Sequence, residues 1–398
     1  MKFNQIGMDD LQRLAEGSAD VLDQVRDAMM APHPLKSAPT FTSVSIAELC
    51  GIDKSQVKYL TQKHNLPSGR KVDGSKAKEY SLEDAITWVR AISPFPGRPA
   101  GMLGKVVAVC NYKGGVAKTS TAVALAQAMT LRGLKVLMID CDGQGTATQL
   151  CGISPEREVE VDQTVMPFIH GDQPDLQYAV QPTYWSNLSV IPASSGLLAA
   201  EFALPAKAIR ERGFRFWEVL RTGIEPLREH FDLIVVDTSP SLSHMTVNAM
   251  MAADGLIMPC PPDALDFASS VQFWGIFSEL VESLPGAKDK KYDFVTIVYT
   301  KVRANDVARL VKTWMKQAYG AHINGVEVPE STAAQMASAQ IKTIYDLSKP
   351  DGSVEAYRRY KEPLDRLAEY VLDQLILAWG TTSVGEQRSQ PQVNEAAV

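Results

Sequence analysis

A chain of 398 residues with 45% hydrophobic side chains is long enough for two or three domains and a sizeable core. Its net charge of −6 excludes a polypeptide that is basic throughout, though not one with local basic patches. The five cysteines (Cys50, Cys110, Cys141, Cys151 and Cys260) form no C-x-x-C pair, which argues against a disulfide scaffold and for reduced thiols in a cytoplasm.

The opening residues MKFNQIGMDD carry no basic segment followed by an apolar core, so no secretory signal is expected. No apolar run of about 18 residues predicts a membrane span anywhere in the chain. Met8, Leu11, Ala15, Ser18, Leu22, Val25 and Met29 recur by threes and fours, predicting a helix with one apolar stripe. Residues 31–39 follow as a proline-punctuated linker with Pro32, Pro34 and Pro39. Ser45 to Glu48 then reads as a capping box that starts a short helix, Cys50-Gly51-Ile52 as a turn, and Asp53 with Gln56 as the start of a second helix to about His64. Val57 and Leu60 face inward in that helix, while Lys54, Lys58 and Lys63 face out. This is helix-turn-helix spacing, with the second helix offered to a major groove. Gly69-Arg70-Lys71, Gly74-Ser75-Lys76 and Glu79-Tyr80 suggest a β-wing, followed by a helix over 81–92. Between positions 51 and 80 there are seven basic and three acidic side chains, a local reversal of the overall sign. Residues 95–102 read as a linker.

Residues 106–121 (VVAVCNYKGGVAKTST) combine an apolar strand, a glycine-rich turn and a helix start carrying Lys-Thr. Backbone N–H groups from Lys113 through Gly114, Gly115, Val116 and Ala117 to Lys118 can converge there, and the helix N-terminus adds partial positive charge, as phosphate binding requires. Thr119 and Ser120 follow in the first turn. Lys118 would reach the β- and γ-phosphates, and the Thr119 hydroxyl would hold Mg²⁺. The usual first glycine of the loop is Tyr112 here and the second is Ala117, while Lys113 is an extra lysine. Residues 135–140 predict a buried strand ending in Asp140, which would hold a Mg²⁺-bound water, and Asp142 two residues on would position the attacking water. Residues 232–240 predict another strand, ending in the metal candidate Asp237.

The K-G-G-x-x-K-T run resembles the deviant P-loop of the ParA/MinD family of dimerising ATPases. Asp140-x-Asp142-x-Gln144 with Gly145, Ala147 and Thr148 resembles that family's switch I, with Gly143 in place of the usual proline. The resemblance implies that Lys113 crosses a dimer interface to phosphates held by the other subunit. It implies Pro261 and Pro262 near the adenine, and Thr300 at a position that often contacts the base. Residues 51–80 resemble the winged helix-turn-helix of MerR-like regulators and of large ParA proteins that repress their own operon. In partition ATPases the ATP-bound dimer also coats DNA through basic residues. Arg303, Arg309, Lys312, Lys316, Arg358, Arg359 and Lys361 are the candidates, their phosphate contacts weakening with salt.

The expected architecture is α/β: a P-loop NTPase with a mostly parallel twisted sheet flanked by helices, plus an N-terminal α-helical winged helix-turn-helix domain. The divisions expected are 1–38 for a helix and linker that could dimerise, 39–97 for the DNA-binding domain, 98–380 for the ATPase and 381–398 for a disordered tail. The resemblance implies ATP/ADP and Mg²⁺ as cofactors, a homodimer, operator and non-specific DNA, and a ParB-type centromere-binding partner on a nucleoid-associated cytoplasmic protein. Three alternatives stand beside this. A MinD-like membrane-positioning ATPase would use the amphipathic segment 364–379, but its polar face is acidic where a membrane helix should be basic. A nitrogenase-reductase-like metalloprotein would need paired cysteines. A nucleotide-sensing repressor would share every motif.

Overall fold

The computed structural model describes residues 7–30, 36–72, 74, 77–93, 95, 97–348 and 352–380. Pro32 and Pro34 of the first linker, Ser75 and Lys76 of the wing, Pro96 and the tail 381–398 lie outside the described residues. The chain divides into two compact units, with the boundary between Ser37 and Ala38. The first unit holds α1 (Met8–Met30), in which Met8, Leu11, Leu14, Leu22 and Val25 are exposed. The Ser18 hydroxyl is turned back onto the Leu14 carbonyl at 2.6 Å.

The second unit opens with two helices, α2 (Ser43–Cys50) and α3 (Lys54–Lys63). Thr42, rather than Ser45, caps α2: its hydroxyl accepts the Ser45 N–H, so the helix starts two residues before the expected capping box. Gly51 closes α2 at φ 63°, a left-handed conformation that favours glycine, and the turn leads to the expected Asp53–Gln56 capping box of α3. Strands β1 (Phe41–Thr42), β2 (Arg70–Lys71) and β3 (Lys78–Tyr80) pair antiparallel in the order β1-β3-β2, followed by α4 (Leu82–Ile92).

An eight-stranded sheet follows. Its strands are β4 (Lys105–Val109), β5 (Val136–Cys141), β6 (Gln181–Pro182), β7 (Leu188–Ile191), β8 (Leu233–Thr238), β9 (Gly255–Cys260), β10 (Phe294–Val302) and β11 (Ile323–Pro329). The order is β11-β10-β9-β4-β8-β5-β7-β6, parallel throughout except for the edge pair β6–β7. Such strands must be apolar on both faces, because helices cover both. Alternate residues accordingly enter two cores. Val106, Ala108, Leu137, Ile139, Ile234 and Val236 pack on one side, and Val107, Val109, Val136, Met138, Leu233 and Val235 on the other. The chain leaves β4 first toward β5 and β7 and later toward β9, β10 and β11. The C-terminal end of β4 is therefore a topological switch point, where open α/β sheets bind ligands.

The segment expected to be a linker is packed. Ala85 and Trp88 of α4 enter a small core with Ile46, Val57, Leu66 and Tyr80, whereas Leu82, Ile86 and Phe95 enter the large core beside Met129 and Leu131. Phe95 stacks on Trp379 with centroids 6.4 Å apart, and Arg98 binds the Asp232 carboxylate and the Met102, Arg228 and Glu229 carbonyls. At roughly 1.5–3 kcal/mol for each fully buried Leu, Ile or Phe, this seam is strong enough to hold the two parts together.

The helix Val354–Ala378 buries Leu364, Leu367, Val371, Leu372, Leu375 and Ile376 on the sheet side. Trp379 finishes it by donating its indole N–H to the Leu103 carbonyl at 3.0 Å. The apolar face of residues 364–379 is thus consumed inside the protein. Among the described residues no helix is long and apolar enough to cross a membrane.

Candidate nucleotide site

The loop after β4 leads into α5 (Lys118–Thr130). Asn111, buried beneath it, donates its amide to the Pro259 carbonyl at 2.8 Å and accepts the Lys113 N–H at 3.0 Å, pinning the loop to β9. From Gly114 to Ala117 the backbone N–H groups donate to no protein acceptor among the described residues, which leaves a row of free donors of the kind that binds anions. Gly115 has φ +74°, and Ala117, the N-cap of α5, has φ +70°. The chain therefore keeps the left-handed step of a P-loop where glycine is usual, at a steric cost to alanine of roughly 1–2 kcal/mol. The Thr300 hydroxyl is buried and donates to the Val116 carbonyl at 3.0 Å. That hydroxyl props the loop from β10, the neighbour of β9.

Lys118 reaches back across the loop and donates to the Lys113 carbonyl at 2.9 Å. Burial lowers its pKa, against the opposing pull of Asp237 and Asp142. Lys113 points elsewhere, forming a 2.9 Å ion pair with Asp266 in the first turn of the helix Ala264–Ser283. Asp266 was invisible as a partner in the sequence. Pro261 and Pro262, just after β9, are buried.

Asp140 and Asp237 are register partners on β5 and β8, both wholly buried. Burial raises the Asp140 pKa to about 6, opposed by hydrogen bonds from Thr148 and Asp142. Burial also pushes Asp237 well above the usual carboxylate range, and the neighbouring Asp140 adds to the shift. The two carboxylates differ in how they are used. Asp140 accepts the Asp142 N–H at 3.0 Å, the Thr148 N–H at 2.8 Å and the Thr148 hydroxyl at 2.7 Å. Among the described residues neither Asp237 oxygen accepts a well-formed hydrogen bond. A buried carboxylate left so is costly unless a cation joins it. With the Thr119 hydroxyl beside Asp237 and the free N–H row above, the residues present fit Mg²⁺ and a polyphosphate. Mg²⁺ held through one or two carboxylates plus phosphate needs no larger cage, and among the described residues no cluster of three or more His, Cys, Asp or Glu could hold a metal. The five cysteines form no disulfide, and four of them are buried.

The basic residues sort differently. Lys54, Lys58 and Lys63 are exposed on α3, and Arg70 and Lys71 are exposed on β2. Arg358 and Arg359 are exposed near the start of the helix Val354–Ala378. Lys361 is taken up by Asp365 at 2.7 Å, Arg303 by Glu330, Lys312 by Glu327 and Arg309 by Asp306.

A free N–H row, an inward lysine and an orphaned carboxylate at a sheet switch point define a P-loop nucleoside triphosphatase. The family described as "AAA domain" matches residues 104–296. Protein SopA of Escherichia coli (strain K12) is 31% identical over 280 residues, which cover 68% of this chain and 71% of SopA. The chromosome partitioning protein ParA of Myxococcus xanthus is 35% identical over 157 residues, or 39% of this chain and 52% of that protein. A solved structure described as a partition protein shares the fold with a TM-score of 0.65 at 18% identity, over 94% of this chain and 98% of its own. The chain belongs to the ParA-type family of partition ATPases.

Proposed function

We propose that this protein is a partition ATPase that uses ATP and Mg²⁺ to pair two copies on DNA. The single observation that carries the reading is the division between two lysines in one phosphate loop: Lys118 folds back across it and Lys113 is held on Asp266. A lysine that does not fold back across its own loop is of little use to phosphates there but can serve those of a neighbour. The Lys113 ammonium is about a third exposed, whereas the Asp266 carboxylate is largely buried, so releasing the lysine leaves that carboxylate to be satisfied in another way. Bound Mg²⁺ would supply charge neutralisation for the phosphates, with Asp237 and Thr119 as its protein ligands. Asp142 then orients the attacking water. Hydrolysis ends the pairing, and a ParB-type partner stimulates it.

Residues 39–97 act in this reading as a winged helix-turn-helix that binds operator DNA in the ADP or nucleotide-free form and represses the chain's own operon. Non-specific DNA is held through basic side chains that include Arg358, Arg359 and Lys316. A nucleotide-sensing repressor is the second reading, favoured by the core that α4 shares with the ATPase.

Sedimentation and DNA footprinting with ADP, then with a non-hydrolysable ATP analogue, test the proposal. The expected result is nucleotide-driven dimerisation and a change from a discrete footprint to general coating. A discrete footprint in both states would leave the repressor reading, and an ATP-bound monomer would overturn the role of Lys113.

A further inference from the structure

Thr148 is wholly buried in the first turn of the short helix Thr146–Leu150, eight residues beyond Asp140. Its hydroxyl does two things at once. It donates to Asp140 Oδ2 at 2.7 Å and accepts the Ala193 N–H at 2.9 Å, just past the end of β7. Its own N–H also donates to Asp140 Oδ2. The other oxygen of Asp140 accepts the Asp142 N–H. The loop is pressed against the same wall at Gly145, where a Cβ would lie 2.6 Å from Pro155 and 3.1 Å from the Ala193 carbonyl. Asp142 is thus fixed at its N–H by a carboxylate that is itself fixed by Thr148, which in turn is bolted to β7.

We propose that Thr148 is a positioning residue for hydrolysis: through Asp140 it sets where the Asp142 carboxylate stands relative to the γ-phosphate. This rests on the water-positioning role of Asp142 given above. Thr148 is too deeply buried to meet nucleotide, so its removal should act on turnover and not on binding. Misplacing a reacting group by about 1 Å can cost about a hundredfold in rate, whereas nucleotide affinity comes from the loop at 113–119.

The test compares Thr148→Val, which keeps the shape and loses the hydroxyl, with Thr148→Ser, which restores it. ATP turnover, ATP dissociation constant and melting temperature are measured on the full chain. In Thr148→Val, turnover should fall by about ten- to a hundredfold with ATP affinity within about twofold of wild type, and Thr148→Ser should return turnover to within about threefold. In an Asp142→Ala background Thr148→Val should have no further effect on turnover, as expected of residues that act as one unit. Unchanged turnover in Thr148→Val overturns the proposal. So does a parallel loss of affinity and turnover with a lowered melting temperature that Thr148→Ser does not restore. A wild-type chain that hydrolyses no ATP would instead sink the function proposed above, which separates the two failures.

Discussion

At the residue scale, the nucleotide site holds two local violations of the rules that stabilise folds, and each should be measurable. Ala117 stands at φ +70°, where alanine costs about 1–2 kcal/mol and glycine costs nothing but its greater unfolded-state entropy. Ala117→Gly should therefore raise stability by about 0.5–1 kcal/mol in urea unfolding. Asp237 is the larger violation, a buried carboxylate facing the buried Asp140 with only the Thr119 hydroxyl beside it among the described residues. Asp237→Asn should stabilise the nucleotide-free protein by about 1–3 kcal/mol at pH 7 while abolishing Mg²⁺-dependent hydrolysis. The pH dependence has a definite sign. Asp140 is raised from 3.8 to about 6 by burial, so the native state binds more protons than the unfolded state across that interval. Stability of the nucleotide-free protein should then fall as pH rises from about 4 to 6, and more gently in Asp237→Asn.

At the scale of elements, α3 and the helix Val354–Ala378 illustrate how the same residue types serve opposite ends. Lys54, Lys58 and Lys63 are exposed because Val57 takes the buried side of α3, with Lys63 lying over the Tyr59 ring. Lys361 belongs to a helix whose buried residues include Leu364, Leu367, Val371 and Leu375, and it is drawn onto Asp365. A lysine already paired gives up that pair before it can take a phosphate, so it adds less to DNA affinity than an exposed one. Replacing Lys54 and Lys58 together by glutamate should abolish operator binding and leave non-specific binding of the ATP form within a fewfold. Fluorescence anisotropy with operator and random duplexes checks this. Loss of both activities would show that the two DNA surfaces are not separate.

On the scale of the whole molecule, the shared core matters most. Leu82 and Ile86 of α4 and the adjoining Phe95 lie among residues of the ATPase, and Arg90 donates to the Gly133 carbonyl at 2.8 Å beyond the end of α5. The phosphate loop starts α5, so one helix runs from that loop to the seam with α4. Residues 38–380 should consequently melt as one cooperative transition in calorimetry, with calorimetric and van't Hoff enthalpies equal. Two separated transitions would show that the seam is weaker than its burial implies. A residue 39–97 fragment should fold poorly alone, because it would expose Leu82, Ile86 and Phe95.

Much was legible from residue order alone, because it depends on neighbours along the chain. Apolar runs of four residues ending in aspartate located β5 and β8, the spacing of glycine and lysine located the phosphate loop, and the Asp53–Gln56 box located α3. The site residues Lys118, Thr119, Asp140 and Asp237 follow from those strands, since parallel strands end on one edge of a sheet. What only tertiary structure decided are contacts between distant segments. Asn111 meets the Pro259 carbonyl 148 positions away, Lys113 finds Asp266, the Thr148 hydroxyl spans Asp140 and Ala193, and Phe95 lands on Trp379. No local pattern encodes such pairs. They exist because the sheet brings the ends of β4, β5, β7 and β9 within hydrogen-bond reach, and burial then forces every polar group left there to find a partner or await one.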